Sequence, residues 1–362
     1  MTTTTDLTVE ITQPILAAMK AAARLAPKKH PVRTFEHIRI TAEGNDLIIE
    51  AANSDVYYQR TVFLPDVTVS TSAAAVLHRD VILNIKAPTA LQFGDRPRLG
   101  PMVLNPEILP EDFPKAPPEP TSEAINCDRD YFDALEHAAL SAAKSEARPI
   151  LQNICHRGDS LFASDGLSAY WAKTNKSWPQ DLVLPASYAA TLGKLFGYSG
   201  AYMAWNDSHI WYWDNGHKIA IRPLVHHVDG RHYPDVERVF PRSTPIASGT
   251  LDRKAWMQAL ESVISLYKLV KRRDLEFRMT IEGFIEKAVI SARAEGHELQ
   301  QDVPCQASMS FWLRLNAQLL HQALQQLDDS NEVEFEFYGS ETPFLLSQRN
   351  GHRKVLLAVM TK

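Results

Sequence analysis

Cysteine is scarce in this sequence. Cys127, Cys155 and Cys305 are the only three, odd in number and far apart, which argues against a disulfide framework or a four-ligand zinc site. A targeting segment is missing as well: the opening MTTTTD has neither a basic nor an apolar region, and no apolar run reaches bilayer-spanning length. These absences predict a cytoplasmic protein with reduced, buried thiols. Long basic runs are also lacking and the net charge is −5. That excludes a protein gripping nucleic acid over its whole surface, while a local basic lining stays open. Neither a GxxxxGK[ST] nor a GxGxxG phosphate loop occurs, and GYSG at 197–200 lacks the spacing of a GxSxG nucleophile elbow. Nucleotide hydrolysis and serine catalysis therefore have no motif to carry them.

What the chain does have is apolar material: 45% hydrophobic against 22% charged residues over 362 positions, enough for two or three separate cores. One pattern then occurs three times. The first copy opens with strand-like VEIT (9–12) and an alanine-rich helix over 13–26, with Ile15, Met19 and Ala22 on one face. The second opens at 124–146, where Asp128 or Asp130 caps a helix bearing Phe132, Leu135 and Leu140. The third opens at 249–270, with Asp252 ahead of Trp256, Leu260, Val263 and Ile264. Each copy holds a second short helix, at 75–86, 184–196 and 315–327. Alternating strands lie between and after the helices, at 46–52, 160–164, 201–205, 209–213, 276–282 and 332–338. Proline-rich PKAPPEP (114–120) and PRSTP (241–245) interrupt the pattern and set domains at 1–120, 121–243 and 244–362. The expected fold class is α+β, three repeated domains each with two helices packed on antiparallel sheets.

Other constellations point to structure rather than chemistry. His226, His227 and His232, with His217 upstream, have a spacing that matches no standard metal-ligand set. Glu107, Glu111 and Asp112 sit in a proline-rich junction, and Asp328 and Asp329 at a helix end, as solvated charges. Trp205, Trp211 and Trp213 alternate along strands, which favours core packing over stacking on bases. No catalytic residue, metal or cofactor is expected.

The stretches ARPILQNI (147–154), SLFASDGLSAYW (160–171) and VDGRHYPDVERVFP (228–241) resemble the β subunit of bacterial DNA polymerase III, the bacterial sliding clamp family. LPEDFP (109–114), LNAQLLHQAL (315–324) and PFLL (343–346) extend the resemblance along the chain. The closing AVMTK (358–362) departs from the family's usual Met-Pro-Met-Arg-Leu type of tail. The resemblance implies a non-catalytic replication processivity factor: a head-to-tail homodimeric ring around duplex DNA, its helices facing the hole. It implies as partners the replicative polymerase, the clamp loader and repair proteins, held through short linear motifs. Lumen contacts to phosphates would come from Lys20, Arg24, Lys28, Lys29, Lys86, Lys144, Arg148, Lys194, Lys268, Lys271, Arg272 and Arg273. A partner-peptide groove between the second and third domains would use Leu151, Ser164, Gly166, Leu167, Ala169, Pro234, Arg238, Val239, Pro343, Val359 and Met360. Ser168 stands where the family often has a basic residue. Ring closure would pair Leu99, Met102 and Leu104 with Ile264 and Leu266, while Pro101 and Pro106 thin the hydrogen bonding at that edge. The alternatives are an accessory or decoy clamp-like protein that binds partners without closing a stable ring, and an enzyme on a clamp-like scaffold.

Overall fold

The computed structural model describes residues 7–65, 67–105, 107–223, 233–269, 277–328 and 330–360. In chain order the elements are β1 (Thr8–Ile11), α1 (Gln13–Leu25), β2 (His37–Gly44), β3 (Asp46–Ala52), β4 (Val56–Phe63), β5 (Val69–His78), α2 (Arg79–Asn84), β6 (Thr89–Gln92), β7 (Arg98–Leu99), β8 (Met102–Val103) and β9 (Ile125–Cys127). Then come α3 (Arg129–Leu140), β10 (Asn153–Ser164), β11 (Ser168–Pro185), α4 (Ala189–Phe196), β12 (Ala201–Trp205), β13 (Ile210–Trp213) and β14 (His217–Ile221). The last stretch holds β15 (Ala247–Asp252), α5 (Arg253–Leu269), β16 (Arg278–Gly283), β17 (Lys287–Ala294), β18 (His297–Ala307), β19 (Phe311–Asn316), α6 (Ala317–Gln326), β20 (Glu332–Phe337), β21 (Phe344–Gln348) and β22 (Arg353–Leu357). The class is α+β, with antiparallel pairing throughout the described sheets.

The chain divides into two compact units, Met1–Cys127 with Ser199–Pro223, and Asp128–Tyr198 with Leu224–Lys362. The first holds an eight-stranded sheet, β5-β2-β3-β4-β14-β13-β12-β9, and a four-stranded one, β1-β6-β7-β8. The second holds a ten-stranded sheet, β10-β11-β22-β21-β20-β15-β18-β17-β16-β19.

Local chemistry starts the long helices where the aspartates stand. Asp128 Oδ1 accepts from the Tyr131 amide at 3.1 Å, and Asp252 Oδ1 accepts from the Ala255 amide at 2.8 Å, each satisfying a donor that a helix start leaves orphaned. On α1, Pro14 occupies the first turn, where a missing N–H costs nothing. Ile15, Met19 and Ala22 are buried together with Leu16 and Ala23. The second helix of the first copy is shorter than its sequence suggests. Residues 75–78 extend β5 along β2, from Ala75↔Ile40 to His78↔His37, and helix begins only at Arg79. A strand partner outcompetes helical propensity there. Helices pack in pairs, α1 with α2, α3 with α4 and α5 with α6.

The aromatic residues pack as the strand alternation implies. Trp211 is fully buried, its Nε1 donating to the Pro118 carbonyl at 3.1 Å; Trp205 is buried, and the half-buried Trp213 stacks on Tyr202. All three cysteines are buried. Burial pushes the Cys155 thiol up to about 12 and that of Cys305 up to about 11, so neither is a ready nucleophile. No described helix is long and apolar enough to cross a membrane.

Candidate functional site

The β10–β11 connection is a turn held by its own side chains. Asp165 Oδ1 accepts from the amides of Leu167 (2.8 Å) and Ser168 (2.6 Å), and Ser164 Oγ accepts from the Gly166 amide (3.1 Å) while donating to the Ser168 carbonyl (2.7 Å). Gly166 has φ +89°, a conformation suited to glycine, and the Arg148 guanidinium lies directly over it. The turn therefore presents Leu167, 58% exposed, at its tip. The Leu167 carbonyl accepts from the Ala358 amide at 2.8 Å, which joins this turn to the segment after β22. Two residues on, the Met360 amide donates to the Arg314 carbonyl of edge strand β19 at 2.9 Å.

Beneath the turn is an apolar floor: Leu151, Cys155, Phe162, Ala169, Val183, Leu345 and Leu356, covered by Tyr233 and Val236. Arg157 pins the covering loop. It pairs with Asp181 at 2.5 Å and Asp235 at 3.7 Å, and donates to the Tyr233 carbonyl at 3.4 Å. A single helical turn at Val236–Val239 then leaves Val239 52% exposed, while Phe240 turns back onto the floor. Leu167 and Val239 are thus held as apolar anchors above a packed base. Val359, Met360 and Pro343 are half-buried and Pro234 and Arg238 exposed, Arg238 being tied to Asp235 at 2.7 Å. A shallow pocket of about 250 Å³ continues from the floor between Trp171, Phe240, Leu345 and Lys354.

The same device stands in the first unit. Asn53 Oδ1 accepts from the amides of Asp55 and Val56, both at 2.8 Å, and the Arg222 amide donates to the Asp55 carbonyl at 2.7 Å. Matching the ladders β4–β14 and β11–β22 from these bonds sets Tyr57 at the position of Ala169. Its ring lies in the corresponding floor, with Val76, Ile108, Phe113 and Trp211, and its hydroxyl donates to Glu50 at 2.6 Å. Where the first cluster has the Tyr57 ring, the second has the buried methyl group of Ala169.

Of the basic residues singled out from sequence, Lys20 and Arg24 lie on α1, Lys194 on α4 and Lys268 on α5. Arg24, Lys28, Lys29, Lys86, Lys144, Arg148, Lys194 and Lys268 are exposed. Lys20 is half-buried, its Nζ donating to the Ile85 carbonyl at 2.5 Å. Lys144 and Arg148 fall beyond the end of α3, with Arg148 over Gly166 at the β10–β11 turn. Lys271, Arg272 and Arg273 lie outside the described residues, as do Pro106, Asp329, His226, His227 and His232. His217 packs on Tyr58, its Nδ1 3.0 Å from that hydroxyl.

At the edges, Leu99 on β7 of the four-stranded sheet is buried, Leu104 is half-buried, and Met102 is 51% exposed. Val103, 45% exposed and unremarked in the sequence, shares that edge with Met102. Ile264 and Leu266 are half-buried on α5. The floor residues Cys155, Phe162, Leu345 and Leu356 and the loop anchor Arg157 were also missed. Of these only Phe162 lies in a strand read from the sequence, at 160–164, and nothing local tells which face of a sheet a loop will cover.

No protein-family model matches the sequence, and no curated protein does. Solved structures do match. The β sliding clamp of C. crescentus superposes with a TM-score of 0.84 at 18% identity, covering 99% of each chain. The DNA polymerase sliding clamp of Bacillus subtilis gives 0.84 at 15%, covering 98% of each. The β subunit from DNA polymerase of Streptococcus pyogenes gives 0.85 at 13%, covering 98% of this chain and 100% of that one. From end to end of its described length, the chain has the fold of the bacterial DNA polymerase III β sliding clamps.

Proposed function

We propose that this protein is a DNA sliding clamp: three clamp domains per chain, two chains closing head to tail around duplex DNA, and a groove between the second and third domains that tethers a polymerase and other partners. The observation that carries the reading is the pair of exposed apolar side chains, Leu167 on its turn and Val239 on its loop, set over a packed apolar floor beside the segment after β22. Apolar anchors over a rigid sheet are what a short linear motif needs. Clamps of this fold from Pseudomonas aeruginosa and Bartonella birtlesii have been solved bound to griselimycin, which makes that compound a probe for this chain.

Two experiments test the reading. A closed clamp loaded onto circular DNA stays bound and slides off after linearisation; equal loss from both forms would count against a ring. Leu151→Ser with Val239→Ser should abolish capture of a clamp-binding peptide while circular dichroism shows the fold intact, and unchanged affinity would remove the groove assignment. A second reading, an accessory or decoy clamp-like protein that binds partners without closing a stable ring, draws support from one observation: edge strand β8 is only Met102–Val103, beside Pro101.

A further inference from the structure

The two repeated ladders place a lysine at the same position. Lys218 stands opposite Gln59 across β14–β4, and Lys354 opposite Trp171 across β22–β11, each two residues along from the matched positions Tyr57 and Ala169. Both lysines lie over an indole, Lys218 Nζ 4.8 Å from the Trp211 ring and Lys354 Nζ 5.5 Å from the Trp171 ring, where the electron-rich face attracts a cation. They differ in what covers them. In the first unit the chain supplies the cover: Glu119 pairs with Lys218 at 2.6 Å, and the Pro118 carbonyl accepts from Trp211 Nε1 at 3.1 Å. In the second, the pocket of about 250 Å³ beside Lys354 is open. Among the described residues Lys354 forms no ion pair and Trp171 Nε1 no hydrogen bond. Of the pocket's carboxylates, Glu336 accepts from the Tyr338 hydroxyl and Glu237 is exposed, while exposed Arg242 adds a second cation.

We propose that partners seated in the groove reach into this pocket with an arm carrying a proline and a carboxylate, which covers Lys354 and Trp171 as Pro118 and Glu119 cover Lys218 and Trp211. The inference rests on the clamp reading and adds a requirement on the partner beyond its apolar motif. The floor leads directly to the pocket: Leu345 belongs to both, and Trp171 and Phe240 pack against the floor. Ala169 and Trp171 are two residues apart on one face of β11, about 7 Å, so two extended residues beyond the apolar anchors bring the arm to the lysine. Proline suits the arm because its fixed φ leaves less freedom to lose on binding.

Calorimetry on the full chain tests this with a clamp-binding peptide alone and the same peptide carrying Pro-Pro-Glu-Pro, copied from residues 117–120, at one end or the other. From one end the arm should tighten binding about two- to five-fold, the range of an exposed ion pair, and the gain should shrink at high salt. Lys354→Gln, its fold checked by circular dichroism, should bring the ratio of the two affinities to one. A neutral Pro-Pro-Gln-Pro arm should lose the gain on the native protein, which needs no variant. No gain from either end, or a gain that survives loss of either charge, overturns the arm site. Failure of the bare peptide to bind the native protein instead overturns the groove reading, and the inference with it.

Discussion

The matched ladder position holds Tyr57 in one apolar cluster and Ala169 in the other, and both side chains are buried. Ala169→Phe should therefore overpack the floor beneath Leu167, without stranding a hydroxyl, because Phe162 stands where Glu50 accepts from Tyr57. The expected outcome is loss of peptide binding by calorimetry at a stability cost of about 1–3 kcal/mol for overpacking. A second residue sets a pH limit. His156 is fully buried, Nε2 accepting from the Tyr131 hydroxyl at 2.8 Å and Nδ1 donating to the Leu182 carbonyl at 3.2 Å. Burial pushes its pKa from 6.5 down to about 4. As pH falls, the unfolded chain takes up this proton first, so stability is complete above about 6.5 and is lost as pH falls toward 4, by about 3 kcal/mol in all. Urea midpoints across that window should fall, and His156→Gln should flatten the dependence. Neither residue announces its role in the sequence, since an alanine and a histidine in apolar strands read as ordinary core until the ladders are matched.

At the level of elements, more was legible. The aspartates ahead of α3 and α5 are visible as caps, and Asp252→Ala should cost about 1 kcal/mol in thermal unfolding. The turn at 164–168 is marked by Ser-Asp-Gly. What it does not show is its carbonyl bond to Ala358, which brings together residues about 190 positions apart. The limits of α2 escaped for a similar reason, because β2 supplies the partner that keeps 75–78 extended. Arg148 was grouped with lumen charges by its place beside the second copy's first helix in sequence; what the sequence does not show is that its guanidinium lies over Gly166.

For the molecule as a whole, the threefold recurrence of a helix pair was the most readable feature, because helical periodicity and proline junctions are local signals. Assembly is the least readable, since it depends on short edges. With Leu99 buried, the exposed apolar surface of β8 is Met102 and Val103. Sedimentation over a concentration series should show a reversible monomer–dimer equilibrium that Met102→Glu with Val103→Glu shifts to monomer, and an unshifted equilibrium would place the contact elsewhere.

The ten-stranded sheet has one more consequence. Two of the three walls of the proposed groove follow β10 and β22, and β11 pairs with both, from Ser164↔Ala169 on one side to Ser168↔Leu357 on the other. Those two walls cannot part unless that ladder breaks. They therefore separate with the cooperative unfolding of the sheet rather than by local fraying. Amide hydrogens on Tyr170 and Val355 should exchange at one common slow rate, and a bound peptide should slow both alike.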